Sequence, residues 1–274
     1  MNRTARADAM GISSNAAHLS HPSCSATETK ILFRLHSELS PTYIVNAVAN
    51  VIDEHKLVRV CEIGAGRHPL LPLHEARSRG VAYTILDISQ EELEGLPYGF
   101  ARILGDICDR TVGVSGSYDY VFSKMVLEHV ADSERFHANI FRLLAPGGFA
   151  CHVFPTLYAT PFLMNRLLPE RAAVAVLSAV FPDEEPYRGK FPAYYRGCRG
   201  PTKTQIRRLQ RIGYEVLEYT GFFGHGYYSR IPGLGVAVDR SAHFLTRRPI
   251  AALTSYALVL LRKPLIDHIP CPDR

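Results

Sequence analysis

Short apolar runs rich in β-branched residues recur through the chain. They span residues 58–63, 81–86, 101–104, 118–122 and 149–154. Runs of this length, bounded by Gly, Pro, Asp or Ser, predict buried strands rather than helices. Segments of helical character lie between several of them, so the pattern predicts an α/β protein with a parallel sheet. Two later runs, 214–219 and 254–261, bring the prediction to seven strands.

Capping residues predict where three of the helices begin. Ser40-Pro41 is typical of an N-cap followed by proline in the first turn, and apolar residues then recur at helical spacing. Asp132 is a second candidate N-cap. Thr202 and Gln205 fit a capping box at the start of a third helix, which Gly213 ends.

The sharpest feature is a Gly-x-Gly turn directly after the first of these strands. Glu62 ends the strand, Gly64 and Gly66 form the turn, and residues 73–79 are mostly helix formers. A strand, a glycine turn and a helix together favour a nucleotide-type cofactor site, because glycine lets the backbone approach a ligand. The alternative is a turn that needs glycine for its conformation alone.

Companion motifs follow this turn in a fixed order. They are Glu62-x-Gly64-x-Gly66, Asp87, Gly105-Asp106-Ile107, Leu127-Glu128-His129-Val130 and Leu144-Ala145-Pro146-Gly147-Gly148. Over roughly residues 57–154 this succession resembles the class I S-adenosylmethionine-dependent methyltransferases. The resemblance implies a doubly wound, mostly parallel, Rossmann-like sheet with an antiparallel last strand at its edge. A nicotinamide-binding domain, the main rival, would prefer a third glycine where this chain has Pro69.

The resemblance also implies which residues hold the cofactor, S-adenosylmethionine. The glycine turn and Glu62 would hold its amino-acid end, Asp87 would accept from both ribose hydroxyls, and Asp106 with Ile107 would contact the adenine. The full expected set is Glu62, Gly64, Ala65, Gly66, Asp87, Ile88, Asp106, Ile107 and Ser123. For Asp87 and Asp106 a helix N-cap is the structural alternative. Arg67, beside the turn, could pair with the cofactor's carboxylate or point to solvent.

Three histidines are candidate general bases, since a base is needed if the acceptor is a hydroxyl. His129 follows the fourth strand, His152 lies on the fifth, and His225 follows the sixth. In the ubiquinone-pathway O-methyltransferases, which the Glu128-His129 stretch resembles, an acid three residues before the Glu helps hold a metal ion. Met125 occupies that position here, so we expect no metal.

The segments outside the motifs are candidates for substrate recognition. We expect residues 1–27 to be a disordered tail and residues 28–274 to form one domain, with insertions at about 155–200 and 222–250. The apolar stretch 157–181 could be a packing helix, a lid or an interfacial helix. Aromatic residues interleaved with glycine around His225 could form a substrate wall or a structural loop.

A basic stretch extends from residue 188 to residue 211 without an acid. It contains Arg188, Lys190, Arg196, Arg199, Lys203, Arg207, Arg208 and Arg211. Such a stretch would attract acidic substrates, phosphates or RNA, or it could be the solvated face of the helix that starts after Thr202.

Composition narrows the class of protein. The chain has 274 residues, of which 47% are apolar and 21% charged, which is ordinary for a globular domain. Its net charge of +5 is too small to imply a nucleic-acid partner. The six cysteines form no Cys-x-x-Cys pair, and no apolar run has the length of a signal peptide or a spanning helix. We therefore expect a cytoplasmic protein, with contact to a membrane surface left open.

These observations predict an enzyme that transfers the methyl group of S-adenosylmethionine to a small molecule, by O-methylation of a glycan, lipid or secondary metabolite. An RNA methyltransferase and a non-catalytic S-adenosylmethionine-binding protein are the alternatives. We expect neither a nucleic-acid partner nor a metal, and the sequence does not fix the oligomeric state.

Overall fold

The structure, a computed structural model, describes residues 28–157, 192–226 and 233–265. The predicted tail 1–27 and nearly all of the apolar stretch 157–181 lie outside the described residues, as do Arg188 and Lys190. Within the described residues, no helix is both long and apolar enough to cross a membrane.

Eight strands of the described residues form one sheet. They are β1 (Lys30–Leu35), β2 (Arg59–Ile63), β3 (Ala82–Asp87), β4 (Ala101–Leu104), β5 (Tyr118–Lys124), β6 (Leu144–Pro155), β7 (Glu215–Phe223) and β8 (Tyr256–Arg262). Their order across the sheet is β1-β7-β8-β6-β5-β2-β3-β4. Only β8 of these eight is antiparallel to its neighbours, β6 and β7. The predicted α/β fold with a mostly parallel sheet and an antiparallel last strand is confirmed.

The sheet differs from the sequence prediction in two respects. The strand β1 was not predicted; it pairs in parallel with β7 and makes the sheet eight-stranded. The antiparallel strand β8 was expected at the edge, but it lies between β6 and β7, where strands on both sides satisfy its backbone.

Six helices connect or flank the described strands. They are α1 (Pro41–His55), α2 (Leu73–Ser78), α3 (Gln90–Glu94), α4 (Ser133–Leu143), α5 (Lys203–Ile212) and α6 (Leu234–Arg247). Short 3-10 turns span His36–Glu38, Leu127–His129 and Ala251–Leu253.

The predicted caps are present with one exception. The Ser40 side chain accepts from the Tyr43 amide, and Asp132 accepts from the Glu134 and Arg135 amides. Thr202 accepts from the Gln205 amide, but the Gln205 side chain donates to the Gly197 carbonyl. The capping box at α5 is therefore only half formed, because Gln205 is buried against the preceding loop.

Helices cover both faces of the sheet. On β6, the Phe149 ring stacks on His55 of α1 with 4.3 Å between centroids. The His152 ring, three residues further on, meets Phe136 of α4 at 5.2 Å. Because side chains alternate across a strand, α1 and α4 pack on opposite faces. The carboxyl ends of the seven parallel strands meet at one edge of the sheet, where ligands bind in open α/β sheets.

We expect Asp132→Ala to lower the free energy of unfolding by about 1 kcal/mol, because two amides at the start of α4 lose their acceptor. Chemical denaturation measures this change. The control is Glu54→Ala, which removes an exposed acid from α1 and should change stability by less than about 0.5 kcal/mol. Equal effects of the two substitutions would contradict the capping role of Asp132.

Candidate cofactor and active site

The glycine turn after β2 fits closely between its neighbours. Gly64 and Gly66 have φ values of +68° and +54°, a region that favours glycine. A Cβ on Gly64 would lie 2.5 Å from Cγ2 of Val126, and one on Gly66 would lie 2.7 Å from Oε2 of Glu92. The turn is thus pressed against the segment that follows β5 on one side and against α3 on the other.

Asp87 ties this turn to the end of β3. Its Oδ2 accepts from the Gly66 amide at 2.8 Å, and its Oδ1 accepts from the Ser89 amide at 2.9 Å. The N-cap of α3 is Ser89, whose Oγ accepts from the Glu92 amide. Asp87 therefore holds the glycine turn instead of capping the helix.

Glu62 fixes the loop beyond the turn. The carboxylate is buried, and its Oε2 accepts from the Leu70 amide at 2.9 Å and from the Tyr83 hydroxyl. Burial raises the pKa of Glu62 to about 7, although both hydrogen bonds lower it. Tyr83 was not among the expected site residues. It lies on β3 opposite Val60, which is two positions before Glu62 on the same face of β2.

Arg67, beside the turn, pairs within the protein and keeps 38% of its side chain exposed. Its guanidinium forms a bidentate pair with Glu92, with donor–acceptor distances of 2.9 Å and 3.0 Å. The partner lies 25 positions away in sequence, on α3. The pair braces the glycine turn against that helix.

The residues expected to contact the adenine lie after β3 and β4. Asp106 is exposed, and its Oδ1 accepts from the Cys108 amide at 2.8 Å, so it closes a turn. Ile107 is buried, and Asn139 donates to its carbonyl at 2.7 Å. Ile88, directly after Asp87, is 58% exposed and offers an apolar side chain at the same edge of the sheet.

The three candidate histidines lie in three separate environments. His129 is half-buried in the turn after β5, where its Nδ1 lies 3.2 Å from the Pro192 carbonyl. His152 is fully buried beneath α4, and its Nδ1 lies 2.8 Å from Oγ of Ser123, which is also buried. Burial holds the pKa of His152 well below its usual value, so the ring is neutral. The structure does not bring these rings together.

His225 lines a cavity of about 220 Å³ at the carboxyl ends of β1 and β7. His36, His243 and Asp239 line the same cavity. Burial lowers the pKa values of His36 and His225. Three strand spacings separate β5 from β7, so the cavity lies about 14 Å along the sheet edge from the end of β5. Tyr227 and Tyr228 lie outside the described residues.

Glu128 was part of a sequence motif but not among the expected site residues. It is 5% exposed, and within the described residues no donor reaches its Oε2. Burial raises the pKa of Glu128 to about 8, and Nε2 of His129 lies 4.0 Å from its Oε1. The amides of Tyr194 and Tyr195 donate to the Glu128 carbonyl, so a distant loop covers this residue.

Within the described residues, no group of three or more His, Cys, Asp or Glu side chains is arranged to hold a metal ion.

The raised pKa of Glu128 makes stability depend on pH. An unfolded glutamate releases its proton near pH 4.5, whereas the folded protein keeps it to about pH 8. The unfolded state thus binds fewer protons across this window, and stability falls as the pH rises through it.

Glu128→Gln should remove this loss. The unfolding free energy of the variant minus that of the parent should increase by at least about 1.4 kcal/mol from pH 5 to pH 8.5. This amount corresponds to a shift of one pKa unit. Urea denaturation at the two pH values measures the gain, and Glu54→Gln, at an exposed position, is the control. A pH-independent difference would contradict the burial of an uncompensated carboxyl.

Comparison with known proteins gives a family for the chain. A family model described as a methyltransferase domain matches residues 27–222. No curated protein sequence is significantly similar to the chain.

Several solved structures are similar to the chain. An S-adenosylmethionine-dependent methyltransferase from Mesorhizobium loti is 18% identical, with a TM-score of 0.48, 82% of this chain covered and 98% of that one. One from Archaeoglobus fulgidus is 13% identical, with a TM-score of 0.48 and coverages of 83% and 98%. A geranyl diphosphate C-methyltransferase from Streptomyces coelicolor A3(2) is 11% identical, with a TM-score of 0.49 and coverages of 80% and 78%.

The family model covers more than half of the chain and includes the glycine turn, both strand-end acids and the Glu128-His129 motif. The chain belongs to the methyltransferase-domain family.

Proposed function

We propose that the enzyme transfers the methyl group of S-adenosylmethionine to a hydroxyl of a small molecule, with the cofactor held on the glycine turn. The observation that carries this proposal is the anchoring of the Gly66 amide by Asp87. It holds the glycine turn against the carboxyl end of β3, which is where a nucleoside can reach both the turn and the acid.

The residues at this edge fit the cofactor. An ionised carboxylate has about four lone-pair sites, so Asp87 retains acceptor capacity for ribose hydroxyls beside its two backbone donors. Ile88 offers an exposed apolar surface for the adenine, and Asp106 with Ile107 lies on the next strand end. The glycine turn would hold the amino-acid end. Glu62 and Ser123 are buried, and we propose that they shape the site from below.

The chemistry is a displacement at the methyl carbon. When bound, the cofactor would supply a methyl group activated by its sulfonium, which the acceptor's lone pair would take while the carbon–sulfur bonding electrons went to sulfur. The protein mainly aligns the two reactants, and such positioning is worth about 7 to 11 kcal/mol. A hydroxyl acceptor also has to lose its proton to a base.

We propose His129 as that base, with Glu128 beside it. Val126 touches the glycine turn, so the segment that carries both residues lies next to the proposed cofactor site. A buried neutral Glu128 would ionise more readily once His129 gained a proton, since their side chains are 4.0 Å apart. His152 lies beneath α4 without exposed surface, and His225 lies about 14 Å away, so we place neither at the reacting atoms.

We propose that the acceptor extends along the edge of the sheet towards the cavity of His36, His225, His243 and Asp239. Neutral imidazoles can donate and accept hydrogen bonds, and a carboxylate accepts from hydroxyls. This set of groups suits a hydroxylated small molecule such as a glycan or secondary metabolite.

The basic stretch gives less support to an RNA substrate. Arg208 pairs with Glu134 at 2.8 Å, Arg199 donates to the Tyr195 and Cys198 carbonyls, and Arg196 donates to the Ala131 carbonyl. These three guanidiniums hold the chain's own loops together, and no aromatic platform for bases lies on α5.

We further propose that the enzyme works in the reducing cytoplasm. Cys61, Cys108, Cys151 and Cys198 are free thiols, and burial raises the pKa of Cys108 to about 11 and of Cys151 to about 12. Such thiols behave as small apolar residues.

Asp87→Asn should weaken S-adenosylmethionine binding about 10- to 100-fold, because a charged acceptor is lost while the side chain keeps its size. Isothermal titration measures the affinity. Asp109→Asn is the control, since Asp109 closes a neighbouring turn by accepting from the Thr111 amide. Unchanged affinity in the Asp87 variant would place the ribose elsewhere.

His129→Ala should lower turnover of a hydroxyl acceptor about 100-fold or more. The assay follows radiolabelled methyl transfer from the cofactor into small-molecule extract and, separately, into total RNA. His74→Ala, at an exposed position on α2, is the control and should leave turnover unchanged. Full activity in the His129 variant would show that His129 is not the general base. Label in RNA would favour the RNA methyltransferase, and label in neither fraction would favour a non-catalytic binding protein.

A further inference from the structure

The helix α6 is held to the protein by one narrow side. Of its 14 residues, only Ala242 is buried. Gly235, Asp239, Ala242 and His243 face the cavity at the ends of β1 and β7. A surface helix of a globular protein normally buries a broad apolar stripe, so within the described ranges 28–157, 192–226 and 233–265 α6 has apolar surface that stays uncovered.

The opposite side of α6 carries that apolar surface. Val236, Ala237, Arg240, Phe244 and Arg247 are all exposed. From Ala237 onwards they follow one another at steps of three and four residues, and Val236 lies four positions before Arg240, so all five lie along one face. Phe244 is 58% exposed and Val236 is 55% exposed. Leaving side chains of this size in water is unfavourable. An apolar surface outside this domain would stabilise them by covering them.

The apolar pattern continues past the end of the helix. Ile250 is 52% exposed and Leu253 is 45% exposed. Five large apolar side chains within twenty positions, counted from Leu234 to Leu253, thus meet solvent in one stretch of the chain.

The charges on this surface have one sign. Arg240 lies four positions before Phe244 and Arg247 three positions after it, and Arg248 is exposed as well. Asp239 is the single acid between residues 233 and 265, and it lies on the cavity side. Arginines interleaved with an exposed phenylalanine match the boundary between acyl chains and anionic headgroups.

A second copy of the chain fits this face less well. Two-fold pairing would bring the same arginines of both copies together around the Phe244 ring, and like charges at the centre of an interface are unfavourable. An anionic lipid surface instead offers phosphates to the guanidiniums and an apolar layer to the ring.

We propose that the face of α6 formed by Val236, Ala237, Arg240, Phe244 and Arg247 binds the surface of an anionic membrane, with the helix lying in the plane of the interface. The proposal rests on α6 and is independent of the methyl acceptor. The sequence left such a contact open for residues 157–181; this surface is a different one.

Co-sedimentation of the full chain with vesicles tests the proposal. Binding should be strong to vesicles of phosphatidylcholine mixed with phosphatidylserine, weak to phosphatidylcholine alone, and reduced by salt. Phe244→Asp should abolish sedimentation, and each of Arg240→Ala and Arg247→Ala should weaken binding roughly fivefold. Because these side chains are exposed, thermal unfolding of the variants should match that of the parent.

Matched controls distinguish binding through this face from non-specific membrane binding. Tyr98→Asp changes an aromatic residue that is 96% exposed elsewhere, and Arg207→Ala removes an exposed arginine of α5. Neither should alter sedimentation. Equal binding to both kinds of vesicle, an unaffected Phe244→Asp variant, or an equal loss in Tyr98→Asp would overturn the proposal. So would a dimer, seen by light scattering, that Phe244→Asp dissociates.

Discussion

The hydrogen bond from the Gly66 amide to the Asp87 carboxylate is the contact on which the site depends. It joins the turn after β2 to the end of β3, and the conformation of both glycines leaves no room for a side chain there. Glu62 holds the following loop through Leu70 and Tyr83. Fixing the turn in advance means that the free energy of cofactor binding is not spent on ordering the backbone.

A buried acid next to that turn links the fold to its proposed chemistry. Glu128 is covered by the loop at Tyr194 and Tyr195, whose amides donate to its carbonyl. An uncompensated carboxyl with a pKa of about 8 is costly for stability near neutral pH. A protein tolerates such a cost where it serves function, and the position after β5, beside the glycine turn, is where we propose that the methyl acceptor approaches.

Local patterns in the sequence predicted the parts of the fold that local interactions determine. The central strands follow from β-branched runs, and the starts of α1 and α4 follow from Ser40 and Asp132. The strand β1 could not be predicted in this way, because its partner β7 begins 185 positions after Lys30. The order of the motifs predicted a glycine turn after β2, but not the pairing of Arg67 with Glu92 across two elements.

The same distinction applies to the candidate catalytic residues. His129, His152 and His225 could not be ranked from the sequence, because alternation along a strand does not say which face a helix will cover. Packing of α4 on β6 places His152 in the interior, and the strand order places His225 three spacings from β5. The environment of Glu128 depends on Tyr194 and Tyr195, which follow it by more than sixty positions in the chain. No local pattern in the sequence reveals such a contact.

A crystal structure with S-adenosylhomocysteine bound would show directly whether the glycine turn and Asp87 hold the cofactor. We expect the ribose hydroxyls to lie within hydrogen-bond distance of Asp87 and the adenine to contact Ile88, while the Gly66 amide keeps its bond to Asp87. A product bound at the cavity of His36 and His225, or a glycine turn that moves away from Asp87 on binding, would rule out this cofactor site.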